Sequence, residues 1–537
     1  MLSALILSLA ASTALQGDSV PLYDDLGDHH HEITTSSRTT QQYFDQGLRL
    51  IYAFNHAEAE ASFRQALASD QSCAMCWWGV ALALGPNINL AMDEASAAEA
   101  WNAIRRAKGL ASNVSPVERG FIDALAQRYA ADPAAARPPL DSAYALAMTE
   151  LARAFPDDDD AAVLYADAMM NLSPWLYWNT DMSPRPGTEA VLAALEQVAN
   201  RNLKHAGACH LYIHAVEAAQ PKRAEPCADR LAGLMPGAGH IVHMPGHIYI
   251  RVGRFADAIA ANQHAIHSDE TFIQDRNPSG AYPLGYYPHN FHFLNFAAMM
   301  AGNREIAYQS AADLAAKSTP ELMAVPGLGG AIQHYHQAML FAYIRFEDWS
   351  AIMAAPSPPA EYPYPTALRR YARGLAFART GDTSAAQWEL NELKRLGQDE
   401  SLEELYILGY NNAASVLAVA RQTLAGEVAA AHGDMEQAIV RLRAAAALED
   451  AFIYMEPPEW PVPPRQHLAR VMTLAGQHED ATNVWQQDLD RFPENVWSLR
   501  GLAESLALQG RTEEAAAVHD RLARALTGST AGMKHDH

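Results

Sequence analysis

Gly476-Gln477-His478-Glu479-Asp480-Ala481, continuing through Trp485 and Pro493 to Gly510-Arg511-Thr512-Glu513-Glu514-Ala515, is the stretch that decides the fold. Ala515 follows Ala481 by 34 residues, and Ala258 follows Ala224 by the same 34. That is the tetratricopeptide period. Each copy has a small residue in a first helix, then Gly and polar residues, then Ala, a large residue and Ala. Small residues let two helices approach closely, and the large one fills the gap between neighbouring hairpins. Gly47 … Ala59 … Phe63 … Ala66, Gly374 … Ala386 and Gly426 … Ala438 … Leu442 … Ala445 are further copies. Alternating strand patterns are nearly absent. The pattern predicts an all-α tetratricopeptide-repeat solenoid, with one array over 38–350, a second over 366–527, and a disordered tail at 528–537.

Interruptions mark inserted loops. Ser268 to Tyr287, with Asn277-Pro278-Ser279-Gly280, reads as a long loop between hairpins. Pro356 to Pro365 and Glu456-Pro457-Pro458-Glu459-Trp460-Pro461 break the array, and Asp157 to Asp160 reads as a solvated acidic turn. Long loops in such arrays often cover a binding surface.

The 537 residues exceed a single ordinary core. With 39 Lys+Arg against 62 Asp+Glu the net charge is −23, and no basic run excepts itself from that balance. Electrostatic binding of nucleic acid is therefore excluded as the default. The longest apolar stretch, at the N-terminus, is too short to span a bilayer, so no membrane span is expected. Residues 1–17 read as an export signal, apolar over Leu2–Leu15 with Ser12-Thr13-Ala14 as a cleavage site. The leading segment lacks Lys and Arg, and a frayed N-terminal helix is the alternative. Export implies a periplasmic or secreted protein in an oxidising compartment.

Histidines carry the chemical signal. Of 22, 12 lie between His205 and His336, about twice an even spread. His210 and His214 are four apart, as are His243 and His247, and the second pair follows the first by 33 residues. Such residues stack on one helix face and can chelate one ion. With Ala258 as anchor, His243 and His247 fall where first helices line the concave groove, with His240 one turn earlier. Anchored on Ala307, His289 and His292 fall in the same row, and His336 extends it if its register holds.

The expected ligands are His210, His214, His243 and His247, joined by His289 and His292 if the site is dinuclear. All-imidazole sites suit Cu, Zn, Fe or Ni. Export favours copper, with zinc or iron as alternatives. Glu217 is a hydrogen-bond partner for an imidazole, a fourth ligand or a solvated helix charge. His240 and Tyr249 are expected to support the ligands. Tyr212, Tyr286 and Tyr287 also stand near the cluster in sequence, and most tyrosines in such helices only pack. The competing reading is a polar groove of neutral histidines that hydrogen-bond a peptide.

Cys73 and Cys76 form a CxxC followed by Trp77, which does not support haem attachment, and no strand precedes them as in a thioredoxin site. Four cysteines allow three pairings. The local solution is Cys73–Cys76 with Cys209–Cys227, the second beside His210; four buried thiols are the alternative. His29-His30-His31 and the terminal His535-Asp536-His537 read as short tracts on disordered ends.

Several segments jointly resemble a family of exported bacterial tetratricopeptide-repeat proteins. They are Tyr43-Phe44-Asp45-Gln46-Gly47-Leu48, Phe54-Asn55-His56, Cys73-Ala74-Met75-Cys76-Trp77-Trp78-Gly79 and His210-Leu211-Tyr212-Ile213-His214. His243-Met244-Pro245-Gly246-His247-Ile248-Tyr249, Tyr287-Pro288-His289-Asn290-Phe291-His292 and Glu456-Pro457-Pro458-Glu459-Trp460 continue the match. It covers about residues 25 to 515, and Gln71 departs from it where such repeats carry Pro after Asp. The resemblance implies the fold and export but brings no reaction with it. Three functions compete: a copper metalloprotein, candidate copper-dependent oxidoreductase, with a small substrate in the groove; a non-catalytic scaffold binding a peptide or protein; and metal storage or delivery.

Overall fold

The computed structural model describes residues 20–280 and 282–531. The expected signal segment and residues 532–537 lie outside that range. Among the described residues the structure is helical almost throughout. Paired strands are confined to Tyr406–Ile407 with Asn411–Asn412, beside two isolated bridges. No described helix is long and apolar enough to cross a membrane. The protein is an all-α array of tetratricopeptide-type hairpins. It has two compact units: the described parts of Met1–Ile248 with His264–Tyr287, and of Tyr249–Gln263 with Pro288–His537.

In the first unit the repeat pattern becomes packing at Phe63. Helices Arg38–Tyr52 and His56–Ser69 form one hairpin, and Ala74–Ala83 begins the next. Phe63 is fully buried against Gly47 and Gly79, where an added Cβ would lie 2.6 Å and 2.4 Å from its ring. Only glycine allows that approach. Ala59 and Ala66 are buried on the same helix. In the second unit Trp485 plays the same part against Gly501. The tight turns there pair a left-handed glycine with a helix cap: Gly381 (φ 91°) precedes Asp382, and Gly433 (φ 84°) precedes Asp434. Each aspartate accepts from a backbone N–H three residues on.

Three sequence expectations change. The loop expected from Ser268 is helical to Arg276, within Phe255–Arg276, because its breakers begin only at Asn277-Pro278. It ends in a wide π-type turn, Tyr282–Tyr286, that leads into helix Tyr287–Met300. The acidic turn is not solvated at its end: Asp160 is buried. Nor is His29-His30-His31 a loose tract. His29 Nε2 lies 3.0 Å from Asp160 Oδ1, and His31 Nδ1 lies 2.7 Å from Asp160 Oδ2. Two features that each look like surface in the sequence are partners.

Candidate metal centre

Helix Ala206–Val216 presents His210 and His214, both buried. Gly207 lets this helix lie flat on Tyr52, since a Cβ there would be 2.4 Å from the Tyr52 ring. The Cys209–Cys227 disulfide ties it to helix Glu225–Leu234, and Cys73–Cys76 is also bonded, so both local pairings are formed. The next ligand-bearing segment is not one continuous helix. Gly239–His243 stops and Pro245–Val252 restarts, because Pro245 cannot donate to the ladder. His243 and His247 still meet, with their Nε2 atoms 2.8 Å apart.

Hydrogen bonds decide which ring nitrogens face inward. His210 Nδ1 donates to the Tyr52 carbonyl at 2.6 Å, so Nε2 carries the lone pair. His247 Nδ1 donates to Glu217 Oε2 at 2.6 Å, and His214 Nδ1 lies 3.4 Å from Glu217 Oε1. One buried carboxylate thus orients two rings, as an outer carboxylate does in metal sites. Among the described residues, Nε2 of His210, Nε2 of His214 and both nitrogens of His240 have no hydrogen-bond partner although buried.

Ligand nitrogens of His210, His214 and His240 lie within 4.8 Å of one another. So do the ligand atoms of His214, Glu217 and His247. His240, expected only to support the ligands, therefore stands with His210 and His214. Of the readings of Glu217, the solvated charge is excluded by its burial at 1% exposure.

Burial keeps the imidazoles of His210, His214 and His240 neutral. It drives His210 and His240 well below the usual histidine range, and neighbouring histidines push the same way. Burial also lowers His214, against Glu217. Burial alone would raise Glu217, but the His247 and His214 imidazoles facing it hold it below the usual carboxylate range. The result is neutral nitrogen donors beside one anionic carboxylate, a set that suits a cation.

The cluster is sealed rather than groove-lining: its five histidines are 0–3% exposed. Phe54 packs on it, 4.4 Å from His210 and stacked over His214 and His240 at 6.0 and 5.5 Å between ring centroids. Trp175 lies 5.0 Å from His214, and Tyr286 4.6 Å from His240. Phe54 (φ 55°) and Trp175 (φ 65°) both hold left-handed backbone, and strain of that kind gathers at functional sites. Phe54-Asn55 occupies the turn position held elsewhere by Gly-Asp, a local signal in the sequence.

Replacing Phe54 with glycine is expected to open the cluster at a moderate net cost. Backbone relief of about 1–2 kcal/mol offsets part of the roughly 3–5 kcal/mol for truncating a buried phenylalanine. Acylation of the cluster histidines by diethyl pyrocarbonate should then run faster in the metal-free variant than in the wild type.

The remaining candidates have surroundings of their own. His289 and His292 belong to the second unit, where the buried His292 ring lies 5.7 Å from His334 and 5.0 Å from Tyr335. Tyr249, also there, stacks under the Arg254 guanidinium at 4.2 Å. The hydroxyls of Tyr212 and Tyr287 donate to Glu196 and Glu270. His336 is half-buried, and burial lowers its pKa.

No family model matches the sequence, and no curated protein matches it. Solved structures align over most of its length at low similarity. Human IFIT1, in a dimer with m7Gppp-AAAA, is 13% identical over 92% of this chain and 91% of its own, with TM-score 0.30. Yeast Tom70 is 12% identical over 92% and 95%, with TM-score 0.26. The TPR domain of P58(IPK) is 10% identical over 88% and 99%, with TM-score 0.21. Likenesses this distant carry no argument about function. Helical repeats include RNA readers, and nothing in these comparisons supports the expected absence of a nucleic-acid partner.

Proposed function

We propose that this chain is an exported metalloprotein whose His210, His214 and His240, with His243 and His247 alongside, hold a transition metal. The carrying observation is the set of buried imidazole nitrogens without protein partners, two of them turned inward by bonds to the Tyr52 carbonyl and Glu217. An orphaned buried polar atom costs about 1–3 kcal/mol, and several in one cluster need a common compensation that a metal supplies.

Imidazole-only donors fit copper, zinc or iron. The two disulfides support an oxidising compartment, where copper is our first choice. Redox chemistry on a small substrate is the proposed activity, and sealing of the cluster restricts what can reach it. A scaffold holding a peptide through these same histidines is less well supported, because their exposure leaves a peptide nothing to touch.

Titration of metal-free protein with copper(II), zinc and iron(II) tests the proposal: saturable uptake supports it, and none at all refutes it. The pH dependence has a definite sign. Ligation needs neutral imidazole, and protons compete only as pH falls toward the depressed pKa values. Affinity should hold through about 6.5, where free histidine titrates, and decline only below. Metal-free stability follows from linkage. Below about 6.5 the unfolded chain takes up protons that the folded cluster refuses, so the cluster's contribution to stability falls as pH falls, while His29 and His31, raised beside Asp160, contribute with the opposite sign. Affinity that begins to drop above that range would contradict the buried, neutral cluster.

A further inference from the structure

Asp160 gathers several polar partners near the centre. Tyr52 donates its hydroxyl to Asp160 Oδ1 at 2.5 Å. His29 and His31 reach its two oxygens, and His205 Nε2 lies 3.3 Å from Oδ1. The grouping resembles a second metal site, but the proton positions argue otherwise. His205 Nδ1 accepts from the Ala208 N–H at 3.1 Å, so its remaining proton sits on Nε2, which lies 3.3 Å from Asp160 Oδ1 without hydrogen-bond geometry. A neutral His205 therefore offers no lone pair there. Asp160 is better read as one buried anion gathering donors.

What those donors hold is Tyr52. Its ring is set between Gly207 and the rings of His205 and His29, at 5.1 and 5.6 Å. Its hydroxyl is fixed by Asp160, and its carbonyl receives His210 Nδ1–H. A continuous path thus runs from His29 and His31 through Asp160 and Tyr52 to His210, joining elements more than a hundred residues apart in sequence.

We propose that residues 29–31 are a strap that positions the metal centre: His29 and His31 hold Asp160, Asp160 holds Tyr52, and the Tyr52 carbonyl keeps His210 in the tautomer that turns Nε2 inward. The proposal rests on reading the histidine cluster as a metal centre. His29 and His31 are positioning residues and do not touch the ion. His30, whose side chain is 55% exposed and bonds Asp45, is outside the path.

The donor atoms supply a rescue test. His29 uses Nε2, which a glutamine amide can mimic, and His31 uses Nδ1, which an asparagine amide can mimic. Copper(II) affinity, by chelator competition, should fall 10–100-fold in the His29→Ala/His31→Ala double variant and in Tyr52→Phe, the scale for loss of an outer partner. His29→Gln/His31→Asn should largely restore it, and His30→Ala should leave it unchanged. In metal-free protein, amide exchange over 48–56 and 206–216 should quicken in the alanine double variant and not in the amide variant.

Unchanged affinity in Tyr52→Phe, or failure of the amides to restore what the alanines lose, would overturn the strap. If the wild type takes up zinc or iron(II) instead of copper(II), the same affinity comparison is read with that metal; if it takes up none of the three, the metal reading fails, and the exchange comparison alone decides the strap: equal exchange in all variants refutes it.

Discussion

Replacing His214 with alanine should abolish tight metal binding. His214 belongs with His210 and His240 and also with Glu217 and His247, so its loss breaks both groupings. Loss of an outer partner alone weakens a site by about 10–100-fold; loss of a direct ligand should exceed that range. Stability reports the same event. Metal present at about 1,000 times its Kd adds roughly 4 kcal/mol to the folded state, and His214→Ala should forfeit that increment. Calorimetric titration and urea unfolding, each with and without metal, measure both effects. His264→Ala, at an exposed position of Phe255–Arg276, is the control and should change neither. Wild-type affinity in His214→Ala would place the metal elsewhere.

Glu217→Ala should be the most damaging single change to the metal-free protein among the cluster's polar residues. It removes the acceptor for His247 Nδ1 and the carboxylate beside His214 Nδ1. Each buried donor left unpaired costs about 1–3 kcal/mol, so roughly 2–6 kcal/mol is at stake for two. The ring orientations loosen with it, and metal affinity should fall by a further 10–100-fold. Glu217→Gln keeps one acceptor oxygen and should lose about half as much. A Glu217→Ala protein as stable as the wild type in urea would show that the carboxylate orients nothing.

The hairpins were legible in the sequence because their packing is local. Gly47 and Phe63, or Trp485 and Gly501, are one hairpin or one neighbour apart, and the 34-residue period repeats the same contact. The histidine pairs were legible because four-residue spacing on a helix fixes side-chain proximity without further information. Repeat numbering puts His240 in one row with His243, and the two share helix Gly239–His243; that its ring stands with His210 and His214 depends on packing between helices, which spacing does not encode.

The closure of the cluster was not legible. Phe54 and Trp175 reach it from left-handed turns whose direction no periodicity encodes. Nor was the bond between His31 and Asp160, 129 residues apart, because long-range polar pairing leaves no spacing signal in a single sequence.

The most direct measurement is elemental analysis of the chain purified without an affinity tag, beside its His210→Ala/His214→Ala/His240→Ala variant. The account predicts about one tightly held transition-metal equivalent, copper foremost, in the wild type and none in a folded variant, since structural nitrogen sites bind metal tightly enough to survive purification. A wild type free of copper, zinc and iron that takes up none on reconstitution, or a triple variant that keeps its full metal content, would contradict it.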